Sequence, residues 1–490
     1  MNLFRAPIIA CLMLSHNIAN ANVTQYFDTI KSDPNALYAF LKEMPKGGEL
    51  HYHLAGGAYA ETMLEVAGST SYCLDTRDYS ASTFSERCDG IDIDALPNHP
   101  QLYQETIRAW SMKDFTSLNQ TGHDHFFNSF PKFLNIVSDF RPQLLAAVMQ
   151  RAANQNEHYM EIMILPDNAA STRFGKTIKN IQTTTQKRST LLKNQAFKDN
   201  IKHTIKETDR ILNEAKKVLA CDSNPGKSVC QLKVTFQYYI LREQPIDQFF
   251  AQAINAFEAV SQSDQLVSIN LVQPEDGVIS LRDYGRQMAL LKALHKIYPK
   301  VHIALHAGEL TPKLVPYETL IFHIREAIFT GQAERIGHGV DIAYEDNSQQ
   351  LLKHMAKHQI PVEINLTSNR EVLNVYGRQH PLNYYLKHNV PVVLSTDDEG
   401  ILRTNLTQEY VEAAFIHNLT YQQLKTITRN AITYSFLPGK SLWQKTNSTD
   451  IVPECKNLDG QNCQQFIRNS EKATLQMKLE KELVKFEQKF

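Results

Sequence analysis

The sequence predicts an α/β protein organised as a (β/α)8 TIM barrel with an N-terminal helical extension and insertions in its first half. Short apolar and β-branched runs alternate along the chain with helical patterns, as in a parallel sheet wrapped by helices. Eight such runs can be counted, which is the number that this barrel requires. The length of 490 residues exceeds one ordinary domain but suits a barrel enzyme that carries insertions.

The predicted strands are spread over most of the chain. They are Gly48–Leu54, Tyr159–Leu165, Val234–Leu241, Leu266–Val272, Val301–His306, Arg335–His338, Val362–Leu366 and Val392–Thr396. Between the last five strands, the spacing fits one crossover helix each, as in the helical patterns from Tyr284 to Tyr298 and from Asn347 to His358. The second half of the barrel is therefore the more regular one.

Two polar segments interrupt the first half of the predicted barrel. Residues 69–100 are polar and contain the first cysteine pair, and residues 176–232 begin with a long polar helical pattern over Lys176 to Leu219. We therefore expect insertions at both places. The predicted domains are a helical extension over residues 22–43, the barrel over residues 44–437, and a tail over residues 438–490 that ends in a Lys- and Glu-rich helix.

The N-terminus is typical of a cleavable export signal. Arg5 precedes an apolar stretch from Ala6 to Leu14, and Ala19 and Ala21 form an A-x-A pattern before Asn22. The apolar stretch is about half of the roughly 20 residues that a membrane span needs, so an uncleaved anchor is the weaker alternative. We predict a signal peptide over residues 1–21, a periplasmic or secreted protein, and no membrane-resident segment.

The cysteines support an oxidising compartment. Of seven, Cys11 would leave with the signal, and the other six form sequence-near pairs. Fifteen pairings are formally possible, but short loops close at the lowest entropic cost. We therefore expect disulfides between neighbours, with buried free thiols as the alternative. The predicted pairs are Cys73 with Cys88, Cys221 with Cys230, and Cys455 with Cys463.

The charge balance restricts the class of ligand. The chain has 51 lysine and arginine residues and 52 aspartate and glutamate residues, so no overall field would draw it to nucleic acid or to an anionic membrane. A small-molecule substrate is the expected partner. A homodimer is a further expectation, because the N-terminal segment and the insertions add surface and most soluble oligomers are symmetric dimers.

Candidate metal ligands lie at the ends of several predicted strands. His51 and His53 are two positions apart on one strand, so their side chains point to the same side. Such a pair alone is weak evidence among 18 histidines. His306 and Asp397, however, fall at the C-terminal ends of later strands, where barrel enzymes keep their active sites. Three histidines and one carboxylate suit Zn²⁺, one ion per chain.

Four segments, in order, resemble the site motifs of the adenosine deaminase family. Met44 to Leu54, with the sequence M-P-K-G-G-E-L-H-Y-H-L, resembles the family's opening motif. The later matches are H-A-G-E at 306–309, R-I-G-H-G at 335–339 and S-T-D-D-E at 395–399. The resemblance covers nearly all of Met44 to Phe436. The signal, the helical extension and the cysteine-bearing insertion are more similar to the secreted, growth-factor-type branch than to the compact cytosolic enzymes.

The resemblance implies a role for each residue around the metal. His51, His53, His306 and Asp397 would bind Zn²⁺, which lowers the pKa of water toward about 7. The remaining matches would act on water or purine. His338 would orient and deprotonate the water, Glu309 would donate a proton to purine N1, and Asp398 would hydrogen-bond N7.

Three further positions concern the binding of the substrate. Gly308 allows the backbone to pass close to a ligand, with a tight turn as the alternative reason for a glycine there. Gln273 occupies a position where the family usually has glycine, whose backbone amide approaches purine N3. Ala55 stands where the compact enzymes have an aspartate that contacts the ribose 5′-hydroxyl. We therefore expect Gly308 and Gln273 to bind substrate, and a 5′-hydroxyl to matter less here.

The predicted function is the zinc-dependent hydrolytic deamination of adenosine, 2′-deoxyadenosine or a 5′-modified adenosine to the inosine product and ammonia. Another metal-dependent amidohydrolase could use the same barrel, although Glu309 and Asp398 would then lack a shared purpose. A secreted binding or signalling protein on a deaminase scaffold is the second alternative. The cytidine deaminase type is excluded, because its H-x-E motif followed by P-C-x-x-C is absent from the sequence.

Overall fold

Eleven β-strands form two sheets in the computed structural model, which describes residues 22–444 and 450–490. The predicted export signal, residues 1–21, lies outside the described residues. In chain order the strands are β1 (Lys46–His53), β2 (Tyr72–Leu74), β3 (Ala81–Thr83), β4 (Ile91–Asp92), β5 (Glu157–Ile164), β6 (Lys233–Leu241), β7 (Leu266–Val272), β8 (His302–Ala307), β9 (Arg335–His338), β10 (Val362–Ile364) and β11 (Val392–Leu394).

The larger sheet confirms the predicted barrel. Its eight strands run parallel and follow chain order from β1 through β5 to β11, and each strand is hydrogen-bonded to the next. The two outermost strands also meet. The backbone N–H of His53 donates to the carbonyl of Asp397 at 2.9 Å, and that of Asp397 donates to the carbonyl of His51 at 3.2 Å. These two bonds bring the strand-end motifs of β1 and β11 together.

The small sheet lies within residues 69–100, where β2 pairs antiparallel with β3 and β4. Of the predicted strands, those at β10 and β11 are each two residues too long. β10 ends at Ile364 because helical structure starts at Leu366. Beyond β11, Asp397 has a φ of 65°, which interrupts extended structure.

Helices surround the barrel. After a first helix at residues 22–30, here α1, they are α2 (Pro34–Glu43), α3 (Leu54–Gly57), α4 (Ala60–Gly68), α5 (Pro100–Ala109), α6 (Gly122–Ser129), α7 (Leu134–Asn154), α8 (Gly175–Ile178), α9 (Thr184–Lys193), α10 (Gln195–Val218), α11 (Ser228–Gln231), α12 (Ile246–Val260), α13 (Val278–His295), α14 (Tyr317–Leu320), α15 (His323–Phe329), α16 (Ser348–His358), α17 (Leu366–Leu373), α18 (Leu382–Lys387), α19 (Glu399–Leu402), α20 (Leu406–Phe415), α21 (Tyr421–Thr433), α22 (Gln461–Arg468) and α23 (Glu471–Glu487).

The long helix expected from Lys176 to Leu219 is wrong as a single element. The segment holds the end of α8 and then α9 and α10, which are separated at Asn194. Asn194 has an extended backbone, and its side chain accepts a hydrogen bond from Phe197 N at 3.2 Å. This N-cap starts a new helix, because it satisfies one of the free amides of the first turn.

The described cysteines form the three predicted disulfides. Cys73–Cys88 lies in the small sheet, Cys221–Cys230 lies between α10 and β6, and Cys455–Cys463 lies in the tail. The prediction of neighbour pairing is therefore confirmed. Among the described residues, every helix is too short or too polar to span a bilayer.

Candidate metal centre and active site

Four side chains converge at the C-terminal end of the barrel. His51 and His53 are contributed by β1, His306 by β8, and Asp397 by the turn after β11, and each offers an atom within 4.8 Å of the others. The Nε2 atoms of His51 and His53 lie 3.3 and 3.2 Å from Asp397 Oδ1. The Nε2 atoms of His53 and His306 are 3.1 Å apart. The predicted ligand residues are thus neighbours in the fold.

This geometry fits a tetrahedral metal ion. Ligand atoms about 2.0–2.1 Å from a tetrahedral Zn²⁺ are separated by about 3.3 Å. The three separations above lie close to that value. In addition, His51 Nε2 is buried and makes no hydrogen bond, although a carboxylate oxygen is 3.3 Å away. A shared cation accounts for both the close approach and the unpaired nitrogen.

Buried partners aim two of the histidines at this point. His51 Nδ1 donates to Glu363 Oε2 at 2.7 Å, and His306 Nδ1 lies 2.9 Å from Asn270 Oδ1. With Nδ1 occupied in this way, each ring presents Nε2 to the metal position. Arg335 in turn contacts Glu363 at 2.6 Å and Glu161 at 2.5 Å. All these side chains lie in the barrel interior and are at most 5% exposed.

Glu363, Asn270 and Arg335 were not among the sequence-predicted site residues. Glu363 and Asn270 are polar residues within apolar strands, V-E-I at 362–364 and I-N-L at 269–271, whereas Arg335 is the first residue of the strand R-I-G-H at 335–338. Because strands of a parallel barrel are covered on both sides, a polar residue there needs a buried partner. That pattern is the signal which could have identified them.

Glu309 and His338 face the metal position from the side. His338 Nε2 lies 3.7 Å from Glu309 Oε1 and 3.8 Å from Asp397 Oδ2. Burial, and then the negative charges of Asp397 and Glu275, raise the pKa of Glu309 to about 8. A carboxyl group with this pKa is protonated near neutral pH and can donate a proton.

Glu275 fixes the turn that carries Glu309. Its carboxylate accepts hydrogen bonds from Gly308 N at 3.1 Å and Glu309 N at 2.8 Å. Gly308 has a φ of 75°, and a Cβ there would lie 2.4 Å from Asp341 Oδ1, so glycine is required. The Gly308 amide is thus occupied by Glu275. Its expected role as a substrate contact stays a prediction.

Asp398 points into the same pocket. Its Oδ1 is buried without a hydrogen bond, and burial together with the adjacent Asp397 raises the pKa of Asp398 well above its usual value. A Cβ at position 56 would lie 1.8 Å from this oxygen, so Gly56 leaves the space that Asp398 occupies. An unpaired buried carboxyl oxygen of this kind is available to a ligand.

Three non-glycine residues of the site have left-handed backbone conformations. The φ angles are 87° for Gln273, 66° for His338 and 65° for Asp397. Such conformations cost of order 1–3 kcal/mol and persist where the surrounding structure enforces them. Gln273 thus adopts a backbone conformation that favours glycine, and its side-chain Oε1 accepts a hydrogen bond from Glu243 N at 2.9 Å.

The pocket has a volume of about 500 Å³ and two different ends. The metal end is lined by His53, His306, Glu309, His338, Asp397 and Asp398, and an apolar part, here called the aromatic wall, is lined by Phe126, Phe127, Phe130, Pro131, Leu134 and Val137. The aromatic wall comes from α6, the 3₁₀ turn that follows it, and α7. Ala55 and Gln273 also line the pocket, whereas no residue of 69–100 does.

A TIM barrel that gathers three histidines, one aspartate and two further carboxylic acids at its C-terminal end is a metal-dependent hydrolase. The family model described as adenosine deaminase matches residues 80–445, more than half of the chain. The chain therefore belongs to the adenosine deaminase family and is a hydrolytic deaminase. His51 and His53 precede the matched residues, so their assignment depends on the geometry above.

Curated relatives support the family but differ in substrate. An aminodeoxyfutalosine deaminase of Streptomyces coelicolor is 25% identical over 421 residues, 83% of this chain and 84% of the relative. An adenosine deaminase of Klebsiella pneumoniae is 39% identical over 137 residues, and an N6-methyl-AMP deaminase of Danio rerio is 34% identical over 158. These two matches cover 28% and 31% of this chain, and only 38% and 43% of the relatives.

Solved structures show the same fold. An adenine deaminase from Arthrobacter aurescens is 16% identical with a TM-score of 0.52, over 80% of this chain and 94% of that one. An N6-methyl-AMP deaminase from Arabidopsis thaliana is 19% identical with a TM-score of 0.52, over 82% and 94%. A Burkholderia ambifaria amidohydrolase with bound zinc is 14% identical with a TM-score of 0.52, over 82% and 88%. At these identities the likeness concerns the fold alone.

Proposed function

We propose that the protein catalyses the zinc-dependent hydrolytic deamination of adenosine, 2′-deoxyadenosine or a 5′-modified adenosine. The products are the corresponding inosine and ammonia. The observation that carries this proposal is the placement of Glu309, His338 and Asp398 around one metal position in one pocket. A general metal hydrolase needs the ligands, but a purine C6 deaminase also needs proton donors placed for the ring nitrogens.

Zinc is the proposed metal because its preferred ligands and tetrahedral spacing match the four side chains. Bound there, Zn²⁺ supplies a Lewis acid that lowers the pKa of water to about 7. His51 and His306 are kept in position by Glu363 and Asn270. The chain thus provides a rigid set of ligands before the metal binds.

The remaining groups act on water and on the purine. His338 directs Nε2 at the space between Glu309 and Asp397, where it orients the attacking water. Glu309, held protonated by burial, donates its proton to N1 and makes C6 more electrophilic. Asp398 in its protonated form donates a hydrogen bond to N7. The oxygen of water adds at C6, one proton of this water passes to the amino nitrogen, and the other returns to the Glu309 carboxylate. The bond from C6 to the amino nitrogen then breaks, and ammonia leaves.

The lining of the pocket supports tolerance of the 5′ position. Ala55 has no polar group to pair with a hydroxyl, and the aromatic wall supplies apolar surface. A site built to bind a hydroxyl rejects its absence, because the buried polar group is then left unpaired. An alanine imposes no such penalty. This is the reason to include 5′-modified adenosines among the substrates.

We also propose that the protein is exported, because residues 1–21 have the pattern of a signal peptide and the three disulfides suit an oxidising compartment. N-terminal sequencing of the mature protein tests this. A mature chain that begins near Asn22 supports export, and one that retains Met1 contradicts cleavage.

The function is tested by incubating the purified, zinc-loaded protein with adenosine, 2′-deoxyadenosine, 5′-deoxyadenosine, adenine and N6-methyl-AMP. Release of ammonia and formation of the 6-oxopurine are measured together. We expect turnover of the adenosines and much slower turnover of adenine and N6-methyl-AMP. Preferential turnover of adenine or of the nucleotide, or no turnover of adenosines, would contradict the assignment.

A further inference from the structure

We propose that His380 and Asn369 are positioning residues that hold His338 in a single tautomer, with its proton on Nε2. The inference rests on the proposed function, since it concerns the histidine that faces the reacting water. It is carried by a chain of hydrogen bonds whose direction is set at one end by a backbone amide.

The chain begins at Leu382. Its backbone N–H donates to His380 Nδ1 at 3.1 Å. A backbone N–H can only donate, so His380 Nδ1 must be the bare nitrogen that accepts. The neutral His380 ring therefore carries its proton on Nε2. That Nε2 lies 3.0 Å from Asn369 Oδ1, to which it donates.

The direction is transmitted through the amide of Asn369. Because Oδ1 is occupied by His380, the NH₂ group of Asn369 faces His338, with Nδ2 at 3.0 Å from His338 Nδ1. An amide NH₂ only donates, so His338 Nδ1 must accept. Asn365 Nδ2 lies 3.4 Å from the same nitrogen, and as an amide NH₂ it also donates a hydrogen bond to His338 Nδ1. The proton of His338 is consequently on Nε2.

This chain of hydrogen bonds from Leu382 to His338, here called the relay, is buried. His338 and Asn369 are fully buried and His380 is 4% exposed, so water does not compete for these bonds. His417 packs next to His380, with ring centroids 5.5 Å apart, but its Nε2 makes no hydrogen bond and it takes no part in the relay. His417 is therefore a neighbour that can serve as a control.

The consequence lies at the metal end of the pocket. The Nε2–H of His338 points to the space bounded by Glu309 Oε1 at 3.7 Å and Asp397 Oδ2 at 3.8 Å. His338 therefore meets the attacking oxygen as a hydrogen-bond donor that orients it. In this tautomer Nε2 does not accept the proton of the water, which differs from the deprotonating role that the family resemblance implies. The alternative tautomer would present a bare nitrogen, and the alignment of the oxygen would be lost.

The test is the isosteric substitution Asn369→Asp. A carboxylate accepts from both neighbours, so His338 Nδ1 would become the donor and Nε2 would lose its proton. Zinc-loaded protein labelled with [¹⁵N]histidine is compared with the variant in two-bond ¹H–¹⁵N spectra, and His338→Gln identifies the signal. We expect a protonated Nε2 in the wild type and a protonated Nδ1 in the variant.

Kinetics supply the second measurement. For Asn369→Asp we expect kcat for adenosine to fall about 10–100-fold, with KM changed by less than about twofold and zinc content unchanged. His380→Gln, which can still accept from Leu382 and donate to Asn369, should keep most of the activity, whereas His380→Leu should not. His417→Gln is the matched control and should resemble the wild type.

A wild-type His338 with a bare Nε2 would overturn the proposal. So would an Asn369→Asp variant whose His338 signal and kcat both equal those of the wild type. The NMR spectra report the tautomer of His338 whether or not the protein turns over a substrate. If the wild type did not deaminate any adenosine, the proposed function would fail, while the tautomer of His338 would still decide whether the relay exists.

Discussion

The two ends of the pocket are built from different parts of the chain. The metal end is formed by the C-terminal ends of β1, β8, β9 and β11, where short turns follow strands of the closed sheet. The aromatic wall is formed by α6, α7 and the turn between them, outside the sheet. We therefore expect the chemistry to depend on the barrel strands and the choice of substrate to depend on the helices that line the same pocket.

The two ends also differ in how they are held. At the metal end, Glu363, Asn270 and Glu275 hold their partners by buried hydrogen bonds. At the aromatic wall the contacts are apolar, and α6 is joined to the β7–α13 loop by His123 Nε2 and Asp276 Oδ1 at 3.1 Å. Substitutions at the metal end should therefore abolish turnover, and substitutions at the aromatic wall should change substrate preference.

The largest effect is expected at the metal ligands. His53→Ala and Asp397→Ala each remove one of four ligands, so metal should be lost and activity should fall to background. Elemental analysis and adenosine turnover check this, with circular dichroism to verify folding. The ligand assignment would be wrong if either folded variant kept one metal ion per chain and full activity.

The next largest effect is expected at Glu309. Glu309→Gln removes the proton donor but keeps size and hydrogen bonding, so kcat should fall about 10²–10⁴-fold, the range for loss of a general acid. Zinc content should be unchanged, because Glu309 is not one of the four proposed ligands. Steady-state kinetics on the loaded protein measure the effect. Activity within about twofold of wild type would remove Glu309 from the mechanism.

A smaller effect is expected at Glu363, which contacts a metal ligand and not the metal position itself. Glu363→Gln weakens the acceptor for His51 Nδ1 and removes a partner of Arg335. Metal affinity should fall about 10–100-fold, as for other buried partners of metal-bound histidines. Competition with a chromogenic chelator measures the affinity. An unchanged affinity would show that His51 is oriented by packing alone.

The smallest effect is expected at Ala55. kcat/KM for 5′-deoxyadenosine should lie within about tenfold of that for adenosine, which corresponds to about 1.4 kcal/mol. Ala55→Asp should shift preference toward adenosine, and Ala55→Leu, which adds bulk without a charge, is the control. A wild-type preference for adenosine of about a hundredfold would mean that another polar group binds the 5′-hydroxyl.

The sequence predicted those features of the fold and site that depend on residues close together along the chain. The two-residue period places His51 and His53 on one side of β1, and His306 and Asp397 fall where strands end. The barrel prediction needed only the count and spacing of apolar runs. The predicted cysteine pairs also depended on short separations along the chain, of 8 to 15 residues.

What the sequence did not predict depends on contacts between distant segments. Glu363 is 312 positions from His51, and it becomes a partner only when the barrel closes. The aromatic wall also depends on contacts between distant segments. In the sequence, the phenylalanines from Phe126 to Phe133 predict only packing in a hydrophobic core. The break between α9 and α10 was missed because it depends on a single capping residue, Asn194.

The most direct test of the account is a zinc titration of the metal-free protein with adenosine turnover as the readout. Chelation should abolish turnover, and added Zn²⁺ should restore it linearly up to one ion per chain, with no further gain beyond that ratio. Full turnover of adenosine by protein shown to be free of metal would contradict the central claim that His51, His53, His306 and Asp397 form the catalytic metal site.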